Sequence, residues 1–271
     1  MVGHVHIMGI VNLTEDSFYA ASRVGLADVT TRIRQMLADG ADTIDLGACS
    51  TRPGSTQPTL EQEWARLEPA LKELSEGGQV PGGQYPVISI DTYRAEIVRR
   101  AYDLIGPFMV NDISAGALDP EMLATVGRLG LPYVAMHMRG TPQTMQEFTN
   151  YTDLVADVKA YFREFALKAE DAGIADWLLD PGFGFAKTLE QNYELLNRLA
   201  ELQELNRPIL VGVSRKSMIY KLLGITPEES LSATQVVHFA ALERGATWLR
   251  VHDVPEAIQT ARLYAVQLPG T

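Results

Sequence analysis

The sequence is poor in cysteine, poor in basic residues relative to acidic ones, and lacks a long apolar run. Its single cysteine, Cys49, excludes an internal disulfide framework and is typical of a reducing compartment. The 34 acidic against 23 basic residues argue against a general binder of nucleic acid or of an anionic membrane. No segment approaches the ~20 apolar residues of a membrane span. Because a predicted strand begins almost at the first residue, we expect no signal peptide and a cytoplasmic location.

The sequence does contain eight apolar runs, each long enough for a strand and each followed by a stretch with helical spacing. Eight such units predict a closed parallel (β/α)8 barrel, or TIM barrel, whose carboxyl strand ends carry the active site. A doubly wound open sheet is the alternative. Because the units use the whole chain, we expect one domain over residues 1–271. The predicted strands end at Asn12, Gly47, Asp91, Asn111 and Asp112, His137 and Met138, Asp180, Arg215 and Lys216, and Arg250, His252 and Asp253.

Basic side chains cluster at the ends of the seventh and eighth predicted strands. Arg250 and His252 are two residues apart, so both side chains point to one face of the strand. An arginine fork and a histidine suit the oxygens of a phosphate, which barrels of this class often bind at strands seven and eight. With Arg215 and Lys216, this local positive charge predicts an anionic small-molecule ligand. The alternative for Arg250 is a structural salt bridge with Asp253 or another neighbour.

Three short side chains with acceptor oxygens, Asp91, Asn111 and Asp180, end predicted strands three, four and six. They would converge over the barrel mouth, where a buried carboxylate needs a partner. A heterocycle with an amino group beside a ring N–H offers two donors to one carboxylate, so we predict a flat, donor-rich ring as ligand. The alternative is that Asp91 and Asp112 cap the following helices, which we favour for Asp112. Asp45, in mid-strand, is expected in a buried polar network.

Two long loops follow the first and second predicted strands, TEDSFYAASRVGLAD and ACSTRPGSTQP. Long loops on the catalytic face of a barrel commonly act as lids or binding loops, and solvated irregular loops are the alternative. Cys49 lies in the second loop with no histidine near it in sequence, which disfavours a nucleophilic thiol. His137 has no metal-binding spacing to another histidine.

Eight segments, in order and spread over nearly the whole chain, resemble those of bacterial dihydropteroate synthase. They are MGIVNLTEDSF, GADTIDLGACSTRPGS, ISIDTYRAEI, VNDISAG, AMHMRGTPQTM, LDPGFGFAKT, VGVSRKSMI and GATWLRVHDV. The resemblance implies a barrel enzyme that joins 6-hydroxymethyl-7,8-dihydropterin diphosphate to 4-aminobenzoate, releasing pyrophosphate and forming 7,8-dihydropteroate for folate synthesis. It also implies Mg²⁺ as cofactor and a homodimer.

The resemblance, matched position by position, implies roles for residues at the barrel mouth. Pterin binding and catalysis fall to Asp91, Asn111, Asp180, Lys216 and Arg250. Pyrophosphate binding falls to Asn12, Arg250 and His252, with Asn12 also the ligand of the pyrophosphate-bound Mg²⁺. Aminobenzoate binding falls to Phe18, Thr51, Arg52, Pro53, Phe185 and Ser217.

The sequence departs from the family pattern mainly in the loops. Glu15 and Ala20 stand where proline and aspartate are common, Cys49 replaces a glutamate, and Ala186 replaces a glycine. We expect these changes to affect rate and inhibitor fit more than reaction type. Two other interpretations stay open. A methyltetrahydrofolate:corrinoid methyltransferase shares the Asp and Asn contacts but has no evident need for STRPG and SRKS, and a pterin-binding protein could have lost turnover through its altered loops.

Overall fold

The computed structural model describes residues 4–13, 24–49, 57–76 and 87–267. Among the predicted site residues, Phe18, Thr51, Arg52 and Pro53 lie outside these ranges, as do the loop departures Glu15 and Ala20. The strands β1 to β8 of the described residues span His6–Asn12, Thr43–Gly47, Ile88–Asp91, Met109–Asp112, Tyr133–Met136, Trp177–Asp180, Leu210–Val211 and Trp248–Val251.

Helices α1 to α9 alternate with these strands, with two helices between β7 and β8. They span Val24–Ala38, Leu60–Glu76, Ala95–Ile105, Met122–Leu129, Leu154–Ala172, Leu189–Asn197, Ser217–Leu223, Leu231–Glu243 and Val254–Gln267. No helix of the described residues is long and apolar enough to cross a membrane.

All the strand pairs are parallel, in the order β6, β5, β4, β3, β2, β1, β8, β7. The two ends of this order meet, because Leu179 of β6 forms a parallel bridge with Ile209 beside β7. The Leu179 amide donates to the Pro208 carbonyl over 3.0 Å. The predicted closed barrel is therefore confirmed, and the open doubly wound sheet is wrong.

Strand alternation divides the core into two layers. Ile7 packs outward into a large apolar core between the strands and the helices, while its neighbour Met8 belongs to a separate cluster. That cluster takes one residue from each of six strands and fills the barrel interior: Met8, Met109, Val134, Leu178, Leu210 and Trp248. The barrel is therefore a packed core, and ligands can bind only at its ends.

The longest helix, α5, shows how local sequence sets element boundaries. Asp153 begins it by accepting hydrogen bonds from the amides of Val155 and Ala156, and Gly173 ends it at a φ of 76°, a left-handed conformation that glycine adopts without strain. Leu154, Val158, Phe162 and Phe165 are buried along one stripe, as helical spacing requires.

Three strands are shorter than their apolar runs. The run WLRVHD was expected to reach Asp253, but β8 ends at Val251. The run YVAMHM was expected to continue to Met138, but β5 ends at Met136. The run ILVGVSRK was expected to reach Lys216, but β7 contains only Leu210 and Val211. Arg215 has a φ of 53°, so the backbone turns before α7 begins. Apolar residues that follow a strand are buried in this barrel without being part of the ladder.

Candidate active site

The carboxyl ends of four neighbouring strands lie level with one another, and three of them carry a polar side chain. Asn12 is the register partner of Gly47, Gly47 that of Asp91, and Asp91 that of Asn111. A Cβ placed on Gly47 would lie 3.6 Å from both Asn12 Oδ1 and Asp91 Oδ2, so these two oxygens flank the glycine. The strand ends that the sequence marks as acceptor-bearing therefore meet at one mouth.

Arg250 lies at the centre of this mouth, between two carboxylates. Its Nε donates to Asp45 Oδ2 over 2.7 Å, and its Nη2 donates to Asp91 Oδ2 over 2.9 Å. Asp45, which is fully buried, also accepts from Ser89 Oγ at 2.6 Å and from Asn111 Nδ2 at 3.0 Å. Asp45 thus belongs to the buried polar network expected of it. The network holds Arg250 and Asn111 in fixed positions.

Asp180 and Lys216 carry opposite charges that interact at the same mouth. Asp180 Oδ1 accepts from the Gly182 amide at 2.8 Å. Lys216 Nζ donates to the Phe183 carbonyl and lies 4.8 Å from the centroid of the Phe185 ring. Burial raises the pKa of Asp180, and the positive charge of Lys216 opposes that rise. Burial lowers the pKa of Lys216 to about 8, against the opposing charge of Asp180.

Asp91 has an unusual protonation equilibrium for a carboxyl group beside an arginine. Burial raises its pKa to about 7, although Arg250 acts in the opposite direction. Nearby Asp45 adds to the rise, because two buried carboxylates share one guanidinium. A ligand that brings N–H donors would stabilise the ionised form. Asp91 is therefore a carboxylate with unused capacity to accept hydrogen bonds from a ligand.

Two of the four basic residues predicted at strand ends seven and eight carry no charge available to a phosphate. Arg215 donates to both oxygens of Asp253, at 2.8 and 2.9 Å, and is held structurally. His252 Nδ1 lies 3.0 Å from Ser214 Oγ, and burial together with Arg250 lowers its pKa to about 4. His252 is neutral at pH 7 and can offer a hydrogen bond only. The salt bridge considered for Arg250 is with Asp45 and Asp91, whereas Asp253 pairs with Arg215.

The remaining described candidates lie around the same mouth. Asn12 is exposed at the end of β1. Ser217 begins α7 directly after Lys216, and Phe185 is half-buried in the loop after β6. The two long loops leave from adjacent positions, because the Leu13 amide donates to the Gly47 carbonyl at 2.7 Å.

Asp112 does not cap a helix, contrary to the favoured interpretation. Its carboxylate accepts from the amides of Ser114 and Gly116 in a turn, at 2.7 and 2.8 Å, and from Tyr133 Oη at 2.6 Å. Helix α4 begins only at Met122. Asp112 therefore shapes the loop after β4. Asp91 caps no helix either, since its carboxylate receives Arg250.

Sequence reasoning missed a buried cation beneath the site. Lys187 Nζ lies 3.1 Å from His137 Nδ1 and donates to the carbonyls of Gly182 and Phe185, at 3.0 and 3.1 Å. Burial lowers the pKa of Lys187 to about 7, while Asp180 opposes the shift. The preceding Ala186 has a φ of 48°, in the region that favours glycine. This lysine fixes the loop that carries Phe185.

A second missed network anchors the start of the second long loop. Fully buried Glu63 accepts from Thr92 Oγ1 at 2.6 Å and pairs with Arg94, whose Nη1 lies 3.8 Å from Cys49 Sγ. Burial raises the pKa of Cys49, so the thiol is not a nucleophile at neutral pH. In the sequence, Glu63 is one of several acidic residues in the segment that forms α2, and nothing there indicates that its side chain is buried.

Comparison with known proteins identifies the class to which this fold and site belong. The family model described as "Pterin binding enzyme" matches residues 8–252. The match includes all eight strands except the first two residues of β1. The chain belongs to the family of pterin-binding enzymes.

Individual relatives narrow this class. The chain is 41% identical to dihydropteroate synthase of Escherichia coli strain K12, over 98% of this chain and 93% of the relative. A solved dihydropteroate synthase of Yersinia pestis, in a sulfonamide drug complex, superposes with a TM-score of 0.88 at 34% identity, over 97% of this chain and 94% of the other. The Thermus thermophilus enzyme, in complex with 4-aminobenzoate, gives 0.84 at 38% identity, over 98% and 95%. Within this family, the chain belongs with the dihydropteroate synthases.

Proposed function

We propose that the mouth formed by Asp91, Asn111, Asp180, Lys216 and Arg250 is where this chain condenses 6-hydroxymethyl-7,8-dihydropterin diphosphate with 4-aminobenzoate. The products are 7,8-dihydropteroate and pyrophosphate. One observation carries the assignment. Two carboxylates, Asp91 and buried Asp180, flank two cations, Lys216 and Arg250, at one barrel mouth, and neither carboxylate has its hydrogen-bonding capacity filled by protein. That arrangement suits a flat ring with several N–H donors joined to a diphosphate.

The carboxylates hold the pterin ring. The amino group and the adjacent ring N–H of a pterin can both donate to one carboxylate, as a guanidinium does. Asp180 and Asp91 are the two carboxylates that accept hydrogen bonds from the ring. Asn111 donates its Nδ2 to Asp45, which leaves its carbonyl oxygen to receive a further ring donor. As the C–O bond to the diphosphate breaks, positive charge develops on the pterin methylene. The two carboxylates stabilise that charge by their preorganised positions.

Arg250, Lys216 and His252 act on the departing pyrophosphate. Arg250 and Lys216 supply positive charge, and neutral His252 donates one hydrogen bond. Asn12, exposed beside Asp91, fits a hard cation, since Mg²⁺ takes one or two protein oxygens together with phosphate oxygens and water. When bound there, Mg²⁺ neutralises charge on the leaving group. The amine of 4-aminobenzoate then attacks the methylene carbon and loses a proton.

The aminobenzoate pocket is proposed to form beside Phe185 and Ser217. Lys216 Nζ over the Phe185 ring joins this pocket to the pterin site. The other proposed contacts, Phe18, Thr51, Arg52 and Pro53, belong to the two long loops, outside the described residues.

A direct assay tests this function. Purified protein supplied with pterin diphosphate, radiolabelled 4-aminobenzoate and Mg²⁺ is expected to form labelled dihydropteroate and to stop when Mg²⁺ is chelated. A protein that only binds pterins would retain the pterin in equilibrium dialysis without incorporating label. That outcome would overturn the proposal.

Asp180→Asn is expected to weaken pterin diphosphate binding by about 1.5–3 kcal/mol, since it replaces a charge-assisted pairing by a neutral one. Isothermal titration calorimetry measures the loss. Asp176→Asn, at the amino end of β6, is the matched control and should leave the affinity unchanged. Equal affinities of Asp180→Asn and the unmodified protein would remove Asp180 from the pterin site.

The pH dependence of kcat/KM is expected to be bell-shaped, with its maximum between the two shifted pKa values. Below the Asp91 pKa of about 7 the carboxyl is protonated and can no longer receive the pterin donors, so activity falls with falling pH. Above the Lys216 pKa of about 8 the amine loses the charge that stabilises pyrophosphate, so activity falls with rising pH. Because the two groups share one site, the limbs report the coupled pair. A rate independent of pH across this window would contradict these assignments.

Binding of aminobenzoate is expected to follow that of the pterin. If pyrophosphate draws the two long loops over the mouth, the pocket exists only after the first ligand binds. Pterin plus pyrophosphate should then raise the affinity for a sulfonamide at least ~10-fold, a coupling of about 1.4 kcal/mol. Titration of a sulfonamide with and without these ligands measures the coupling. Equal affinities would mean a preformed pocket.

We also propose a homodimer of single-domain, cytoplasmic subunits. Five large apolar side chains are exposed on the last three helices, and they supply a surface that association could cover: Leu222, Leu223, Val236, Leu263 and Val266. Analytical ultracentrifugation of the purified chain tests the dimer, and a monomer at micromolar concentration would exclude it.

A further inference from the structure

Two histidines and an aspartate lie together at the end of the barrel opposite the active site. His6 begins β1, His4 precedes it by two residues, and Asp42 directly precedes β2. Their ligand atoms all lie within 4.8 Å of one another, and no other group of three His, Cys, Asp or Glu within the described residues meets this condition. The catalytic residues lie at the carboxyl ends of the same strands. With ~3.3 Å per residue, the seven-residue β1 separates the two ends by roughly 20 Å.

The barrel itself fixes two of these three side chains. Asp42 Oδ2 accepts from the Ile7 amide at 2.7 Å, and the Asp42 amide donates to the Ile7 carbonyl at 2.9 Å. The imidazole of His6 stacks on the buried Trp248 ring, with centroids 4.4 Å apart and an angle of 13° between the planes. A carboxylate and an imidazole are thus preorganised by groups that belong to the fold.

His4 supplies the adjustable donor. Its side chain is 63% exposed, and its Nε2 lies 2.7 Å from Asp42 Oδ1. Donors at ~2.1 Å from one tetrahedral Zn²⁺ are roughly 3.4 Å apart, and the three ligand atoms already lie within 4.8 Å of one another, so small side-chain rotations bring all three into range. The metal would replace the proton that His4 and Asp42 share. Without metal, the same contact is a hydrogen bond between the two side chains.

We propose that His4, His6 and Asp42 bind a first-row divalent transition metal, of which Zn²⁺ is the probe, as a structural site on the stability face of the barrel. Two imidazole nitrogens select Zn²⁺, Ni²⁺ or Cu²⁺ over Mg²⁺, which prefers an all-oxygen shell. Water occupies the remaining coordination positions on the solvent side. The metal would tie the start of β1 to the turn between α1 and β2. This site is independent of the proposed Mg²⁺ at Asn12.

Titration of ZnCl2 into the chelator-treated full chain tests the proposal, in a buffer free of phosphate. We expect one equivalent to bind, and the melting temperature to rise with Zn²⁺ concentration because the metal binds only the folded state. His4→Gln and Asp42→Asn should each weaken binding at least ~10-fold. Asp42→Asn retains an oxygen for the Ile7 amide, so the turn should stay intact.

Asp39→Asn is the matched control, because Asp39 also follows α1 and its side chain bonds to Gln35. It removes the same charge and should leave Zn²⁺ affinity unchanged. Substitution with Co²⁺ gives an independent readout, since d–d bands of a site with histidine ligands should be lost in His4→Gln. Absence of saturable binding up to about 1 mM Zn²⁺ would overturn the proposal. So would equal affinities in all four proteins, which would locate the metal elsewhere.

Discussion

Arg250→Met is expected to destabilise the protein by about 3–5 kcal/mol and to abolish pyrophosphate binding. Removal of one partner of a buried ion pair leaves its counter-charges uncompensated. Here two carboxylates, Asp45 and Asp91, lose their shared cation. Urea unfolding measures the loss of stability, and calorimetry measures the loss of pyrophosphate affinity. Affinity for an uncharged pterin analogue should fall as well, since Arg250 orients Asp91.

The loss of stability should depend on pH. A buried carboxyl with a folded pKa above its unfolded value of about 3.9 destabilises the fold fully above the folded pKa, and the cost disappears as pH falls toward the unfolded value. Arg250→Met raises the pKa of Asp91 further above the value of about 7 that it already has. The variant should therefore recover stability relative to the unmodified protein as pH falls from above its own raised Asp91 pKa to about 7, where Asp91 of the unmodified protein is protonated as well. A deficit constant with pH would indicate lost packing rather than stranded charge.

Lys216→Met is expected to lower kcat/KM by about 10²–10³ with little loss of stability. The methionine retains the apolar part of the side chain but loses the charge that we propose stabilises the departing pyrophosphate. Asp180 then loses its nearest opposing charge, so its pKa should rise and pterin binding should require higher pH. Steady-state kinetics over a pH series gives both effects. The alkaline limb attributed to Lys216 should disappear.

Lys221→Met, one turn further along α7, is the matched control and should leave kcat/KM unchanged. Lys216→Arg separates charge from loop anchoring, because arginine retains the charge and can still donate to the Phe183 carbonyl. It should recover part of the activity. If Lys216→Met kept normal turnover, pyrophosphate would depart without help from this side chain.

The fold was readable from the sequence because its signal is repeated. Each of the eight units contains a short apolar run followed by apolar residues at helical spacing. A wrong boundary in one unit therefore does not change the number of units predicted. Strand ends were less certain. Gly212 and Val213 continue the apolar run of β7 but leave the ladder, since burial in a barrel does not require strand pairing. The spacing of apolar residues predicts which positions are buried, and it predicts hydrogen bonding between strands only indirectly.

The sequence revealed which residue types make up the candidate site, but it did not reveal which of these side chains pair with one another. Asp45, Asp91 and Arg250 were each conspicuous, yet no pattern among the residues predicted that one guanidinium pairs with two carboxylates. The sequence analysis overestimated the positive charge that Arg215 and His252 offer to a ligand. Arg215 is paired with Asp253 and burial lowers the pKa of His252, and both effects depend on the folded structure. Lys187 escaped notice since an isolated lysine in a loop is ordinarily solvated, and only packing shows it to be 3% exposed.

The central ion pair also fixes when the site can form during synthesis. Arg250 follows Asp45 by 205 residues and Asp91 by 159. At about 5–20 residues per second, Arg250 is made roughly 10–40 s after Asp45 and roughly 8–32 s after Asp91, and until then neither carboxylate has this guanidinium as its partner. A nascent barrel without β8 therefore favours hydrated carboxylates, which keep its mouth open to water. Assembly of this ion-pair network waits for β8, the last of the described strands.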